Sequence, residues 1–489
     1  MPSTAPSHSG VDQATPDRRR RTRARVTGTT AAVTLSLLAA TAPALAAPAS
    51  GPVTTAASAS GAASPAAGVP TGIDRKALDA SLRAIHKAGM YGVYSAVQDG
   101  TRKWNGAAGV ADRDTGRPVT AGMEQRVGSI TKSFVSVAVL QQVAKGRIDL
   151  DAPIGRYLPK LVPGERGRTV TVRMLLNHTS GIGDYIVAAF PSLLKNSGKS
   201  LDDNRYHQWS PETLIRLGLK QKPTGKPGER HVYSNTNYVI AGELLRKVTG
   251  QAPETYVTSN VIRKAGLRHT YFPKSPKITG PHSKMYEALY GLINPPRDYS
   301  DYNMSWAGTA GSLVSTMDDL NQFYRALFTG KLLRPAQLKQ MKTTVPIKDA
   351  KGKVLGYYGL GLYPVNSPCG RFWGHDGAVW GAGTQGLTSE DGRRQVSLGY
   401  NLMKYQKVEN GQIVPHAIDY AMHAHLIRAM CNTAVPGGKG TGAGTGTDKL
   451  GKPDKTNKLT DSGVFNELVT PGPADKHSPV APRLIPALR

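Results

Sequence analysis

Strand-like segments stand only at the two ends of this chain's central body, and a long helical stretch separates them. "YGVYSAVQ" and "KWNGAAGV" flank Asp99-Gly100, a hairpin signal, near the start. "GYYGLGLY", "RFWGHDGAV", "GTQGLTS" and "QVSLGYNL" follow near the end, with Glu390-Asp391-Gly392 as another turn. Between them, residues 129–330 read as mostly helical with long loops. An isolated hairpin in water is marginal at best, so the two ends are expected to join in one sheet. "DRKALDASLRAIHKAG" places Leu78, Leu82 and Ile85 on one helical face, and "HAIDYAMHAHLIRAMC" is a second amphipathic pattern at the far end. The predicted class is α/β of the α+β type: an antiparallel sheet built from both ends of the body, covered by helices. A mostly helical insertion lies alongside, and a ligand cleft is expected where it meets the sheet.

The body spans residues 72–433 of a 489-residue chain. Residues 1–25 finish in "RRRRTRAR", and a short apolar run then ends in Ala44-Leu45-Ala46. A basic start, a short apolar core and an A-x-A pattern predict a secretory signal over residues 1–46. The alternative, an uncleaved membrane anchor, needs about 20 apolar residues, and Thr and Gly interrupt this run. Residues 47–71 are nearly all small or polar and predict a disordered linker. Residues 434–489 predict a low-complexity disordered tail, whose glycines lack the Gly-Lys-Ser/Thr of a phosphate loop. The expected address is therefore extracellular, with the cell wall as a candidate surface and without a stable membrane anchor.

The formal charge is +28, of which about +21 stays on the body. For an exported protein this field suits an anionic cell envelope rather than nucleic acid; the plain alternative is a solvated surface. Cys369 and Cys431, the two cysteines, read as one disulfide. No zinc-type spacing is present, and His423 and His425, two apart on a helix, do not face one another.

"RVGSITKSF" carries the chemistry. A serine hydroxyl needs a partner to take its proton, and residues three apart on a helix share a face. Ser129 and Lys132 meet that condition if "SITKSFVSVAVLQQVAKG" is helical, with Phe134, Val137, Ala138 and Val143 inward. The spacing alone is weak, because Ser192 and Lys195 repeat it in a loop-like stretch that reads as structural. Two further elements follow in order: Tyr233-Ser234-Asn235 ahead of an apolar helix, and His375-Asp376-Gly377 at the end of a predicted strand.

S-x-x-K, then Y-x-N, then H-x-G resembles the penicillin-recognising serine hydrolases, whose other members carry S-D-N and K-T-G. "LLNHTSGI", "YSNTNYVIAGELLRKVTG" and "SWAGTAGSLVSTMDDL" extend the resemblance over residues 72–432. It is nearest to the soluble exocellular D-alanyl-D-alanine carboxypeptidases of the class C β-lactamase-like branch, and it implies a β-lactamase/transpeptidase-like fold. The resemblance implies that Ser129 is the acylated nucleophile and Lys132 a neutral or proton-sharing amine. Tyr233 would relay protons, Asn235 would bond the substrate amide, and His375 would stand beside the leaving group. The N–H groups of Ser129 and Ala378 would form the oxyanion hole, next to Gly377 and Asp376, and Trp306 would line the cleft. Each also has a bland reading: Tyr233 and His375 as satisfied buried groups, Asn235 as a helix cap, Trp306 as core.

The resemblance also has a gap. Asp376 and Ala378 stand where small hydroxyl residues hold a substrate carboxylate, and Tyr363 takes the approximate place of an arginine. A carboxylate facing a carboxylate repels it, unless Asp376 points away or pairs with Arg371 or a lysine. The expected function is acyl-enzyme hydrolysis of cell-wall D-alanyl-D-alanine peptides by a monomer that β-lactams acylate. The alternatives are an esterase, amidase or β-lactamase of the same fold, or a non-catalytic wall-binding or β-lactam-sensing module. No metal or organic cofactor is implied.

Overall fold

The computed structural model describes residues 71–349, 351–409 and 412–433. The expected signal segment, the tail and all but the last residue of the linker lie outside them. Strands β1 (Gly92–Asp99) and β2 (Arg102–Gly109) form the expected hairpin. Strands β3 (Tyr363–Ser367), β4 (Gly370–Val379), β5 (Ala382–Ser389) and β6 (Arg394–Tyr400) come from the other end of the body. They join in one six-stranded antiparallel sheet of order β2-β1-β6-β5-β4-β3. The closing pair runs from Val93 opposite Tyr400 to Asp99 opposite Arg394, so the two ends of the body meet in mid-sheet.

Both faces of the sheet are covered, and the alternation along β1 shows how. Val93 and Val97 join Leu78, Leu82 and Ile85 of α1 (Arg75–Lys87) in one core. The same core takes Ile418, Met422 and Leu426 of the last helix, Ala417–Cys431. Tyr94 and Ala96 point the other way, into a larger core with the helical insertion. There α2 (Thr131–Ala144) is buried nearly all round rather than on one face, which makes it the central rod of the insertion. It packs on α3 (Asn235–Thr249), while α4 (Met317–Phe328) lies across β1, β5 and β6. The last helix, α5, ends at Cys431, bonded to Cys369 in the turn between β3 and β4. His425 of α5 is buried between Ser81 and Ser95, a packing residue as expected. Ser192 is also structural, its hydroxyl donating to the Ser197 carbonyl at 2.6 Å. Among the described residues no helix is long and apolar enough to cross a membrane.

Candidate active site

Ser129 sits in a single tight turn, Gly128–Ile130, immediately before α2. Two glycines bring this turn against the edge of β4. Gly128 has φ +53°, and a Cβ there would lie 2.6 Å from the Ala378 nitrogen. A Cβ on Gly377 would lie 1.9 Å from the Val127 carbonyl oxygen and 2.8 Å from the Ser129 nitrogen. Pairing between β3 and β4 runs only from Gly370 to Gly374, so residues 375–379 continue past it beside the serine turn. The backbone nitrogens of Ser129 and Ala378 are thereby set close together. Such a pair can receive a developing oxyanion.

Lys132 is fully buried, and three oxygens stand around its Nζ. It lies 3.0 Å from Ser129 Oγ, 2.8 Å from Asn235 Oδ1 and 2.8 Å from the Ala310 carbonyl. The amide of Asn235 is oriented by Asp184, whose Oδ2 accepts Nδ2–H at 2.8 Å and the Asn235 backbone N–H at 3.0 Å. Two of these three oxygens therefore have no proton to give. Once it has given up a proton, Lys132 can give its two remaining hydrogens to them and turn its lone pair to the Ser129 hydroxyl, the arrangement a general base requires. Asn235 is not the helix cap: Ser234 holds that position and Asn235 begins the helix. No sequence pattern flags Asp184, a loop residue without recognisable spacing. Burial pushes its carboxyl up, against the pull of the Asn235 N–H groups and Lys132.

Tyr233 borders the same cleft as Ser129 and Asn235, with Lys132 Nζ 4.7 Å from its ring centroid. His178, another residue no spacing marks, packs against Tyr233 with ring centroids 4.1 Å apart. Its Nδ1 accepts the Ser234 N–H at 3.2 Å, and burial holds it well below the usual imidazole range, so it is neutral.

His375 of the H-x-G motif is not among the residues that line the cleft. It is 1% exposed and lies behind the residues that line the cleft. Its Nδ1–H donates to the Asp376 carbonyl at 2.5 Å and its Nε2 accepts the Tyr358 hydroxyl at 2.7 Å. Burial, reinforced by Lys132, pulls its pKa down to about 3, so the ring is neutral and both nitrogens are engaged. The structure thus places His375 as a buried support of β4, its ring 6.5 Å from that of Tyr233. The physical reason is strand parity: side chains alternate across a strand, and position 375 faces inward where 376 and 378 face the cleft.

Asp376 and Ala378 do line that cleft, whose volume is about 150 Å³. Asp376 does not point away and does not pair with Arg371, which bonds Asn366 instead. Its Oδ1 accepts the Tyr363 hydroxyl at 2.9 Å. Burial pushes this carboxyl up, and the Tyr363 bond and Lys132 pull the other way. Trp306 lines the cleft and is also packed, stacked on Trp380 with centroids 5.1 Å apart and met edge-on by Phe190. Trp380 and Lys404 join the lining without any motif to announce them, and Lys404 Nζ lies 2.8 Å from Glu287.

A family model described as Beta-lactamase matches residues 75–405. Among solved structures, a D-stereospecific amidohydrolase from Streptomyces sp. is 34% identical, covering 74% of this chain and 100% of that one, with a TM-score of 0.64. The putative penicillin-binding protein PbpX of Bacillus subtilis is 26% identical over 67% of this chain and 74% of its own length. Esterase EstB of Burkholderia gladioli is 32% identical over 34% of this chain, and the match spans 43% of that protein.

Proposed function

We propose that this chain, which belongs to the beta-lactamase family, is an exported serine amidase or esterase that works through an acyl-enzyme at Ser129. The observation that carries this reading is the Lys132 amine, held 3.0 Å from Ser129 Oγ and bonded as well to two oxygens that cannot donate. Ser129 Oγ bonds to the substrate's carbonyl carbon while its proton passes to Lys132. The carbonyl oxygen gathers negative charge beside the Ser129 and Ala378 N–H groups. The C–N or C–O bond then breaks, and the leaving atom takes that proton by way of Tyr233. Water adds to the acyl group, its proton returns through the same amine, and Ser129 is released as the acid departs.

The similarity to an amidohydrolase over all of that protein's length supports the amide class. A D-alanyl-D-alanine carboxypeptidase is the second reading, favoured by the three ordered motifs and by the name of the Bacillus relative. Asp376 weighs against it, because a terminal carboxylate would lie near a carboxylate. Export rests on the segment 1–46, and a disulfide between Cys369 and Cys431 suits an oxidising compartment.

The test is covalent. Wild type incubated with a fluorescent penicillin or a p-nitrophenyl ester is expected to gain one acyl group on the peptide containing Ser129, and Ser129→Ala none. Equal turnover by Ser129→Ala would refute the assignment. Failure of both proteins to label or to turn over any ester would favour a binding module.

A further inference from the structure

Asp376 is the feature of the cleft that acyl transfer does not use. Its side chain is 13% exposed and borders the same cleft as Ser129. Gln385, its partner across β5, donates from Nε2 to the Tyr363 oxygen at 3.4 Å. The Tyr363 proton is thereby directed to Asp376 Oδ1 at 2.9 Å, which orients the carboxylate as an acceptor. The neighbouring amines have hydrogen-bond partners of their own, and Lys132 also draws on Asp376 electrostatically. Lys132 is bonded to Ser129, Asn235 and Ala310, and Lys404 to Glu287. His375 Nδ1 lies 3.6 Å from the carboxylate, but its N–H is donated to the Asp376 carbonyl and the ring is neutral.

The fold also fixes which part of a substrate meets Asp376. Ala378 marks the carbonyl, and Trp380 and Trp306 lie beyond it at one end of the strand. Tyr233 lies toward the other end, its ring 6.5 Å from His375, and Tyr363 is 5.3 Å from the same ring. A leaving group that takes its proton by way of Tyr233 therefore departs on the Asp376 side. We propose that Asp376, oriented by Tyr363 and Gln385, is a charge-selecting residue that favours substrates whose leaving fragment carries an ammonium group and disfavours those carrying a carboxylate. This rests on the acyl-enzyme reading above and adds the substrate class to it.

Three amides with one acyl group test it: N-acetyl-D-alanyl derivatives of 1,2-diaminoethane, propylamine and β-alanine, whose leaving fragments are cationic, neutral and anionic. Each is measured as a substrate and as a competitive inhibitor of p-nitrophenyl ester hydrolysis. Wild type is expected to rank them cation, neutral, anion, in kcat/KM or in 1/Ki, with about tenfold or more between the extremes. Asp376→Asn is expected to compress that span to about threefold, and Tyr363→Phe to narrow it part of the way. A packing role would lower all three together and leave the ranking in place. A flat or reversed ranking in wild type overturns the proposal, as does an Asp376→Asn protein that keeps the full span. Should ester turnover survive in Ser129→Ala, the acyl-enzyme reading falls first; intact Ser129-dependent turnover with a flat ranking removes the charge selection alone.

Discussion

Gly377→Ala is the sharpest probe of the catalytic geometry, because it adds one methyl group and no charge. That carbon would stand 1.9 Å from the Val127 carbonyl oxygen and 2.8 Å from the Ser129 nitrogen, both backbone atoms that no rotamer change can move. Relief requires β4 and the serine turn to part by about 1 Å. Such a displacement separates the Ser129 and Ala378 N–H groups by an amount that matters to a tetrahedral intermediate. Loss of one well-placed oxyanion donor costs about 10²–10³ in rate, and overpacking costs about 1–3 kcal/mol of stability. Stopped-flow release of p-nitrophenol separates acylation from deacylation, and urea unfolding reports the stability. The expected result is an acylation rate lower by about a hundredfold or more in a protein that still folds. Acylation within about threefold of wild type would refute the claim that the approach of β4 to this turn makes the site.

Two further outcomes concern stability. Burial holds His425 down to about 3, as it does His375, whereas an unfolded histidine takes its proton near 6.5. The folded pKa is depressed, so the unfolded state binds more protons below 6.5, and stability present above that value is lost as pH falls toward 3. Each such histidine contributes a slope of about 1.4 kcal/mol per pH unit. The buried Asp184, Asp376 and Asp419, pushed up by burial, act in the opposite sense, so the readout is a difference. Urea unfolding from pH 7.5 to 5 should fall less steeply in His425→Gln than in wild type; equal slopes would count against a neutral buried ring. The Cys369–Cys431 bond closes a segment of sequence separation 62, and replacing both cysteines by alanine should lower unfolding free energy by about 2–4 kcal/mol. A variant indistinguishable from wild type with and without reductant would show that the bond adds nothing.

Much of this architecture is legible in local pattern. The β-prone run Val93-Tyr94-Ser95-Ala96-Val97 ahead of Asp99-Gly100 marks a strand, and the spacing of Leu78, Leu82 and Ile85 marks the helix that covers one of its faces. The Ser129–Lys132 contact is legible for the same reason, since one helical turn sets the separation of residues three apart. The orientation of Asp376 is not. It depends on Tyr363 and Gln385, which reach it only through the pairing of β4 with its neighbours.

By itself, then, the sequence determined the types of the longer elements and the pairing of distant ends into a sheet, because these follow from short-range periodicity and from strands that need partners, while the candidate acyl-transfer residues followed from motifs that resemble a known family. The tertiary structure alone decided that Asp184 orients Asn235, that Ala310 supplies an acceptor to Lys132, and that His375 is buried while Asp376 faces the cleft. Those contacts join residues far apart in the chain, and the free energy of a buried amine or carboxylate depends on every group packed around it, which no local pattern encodes.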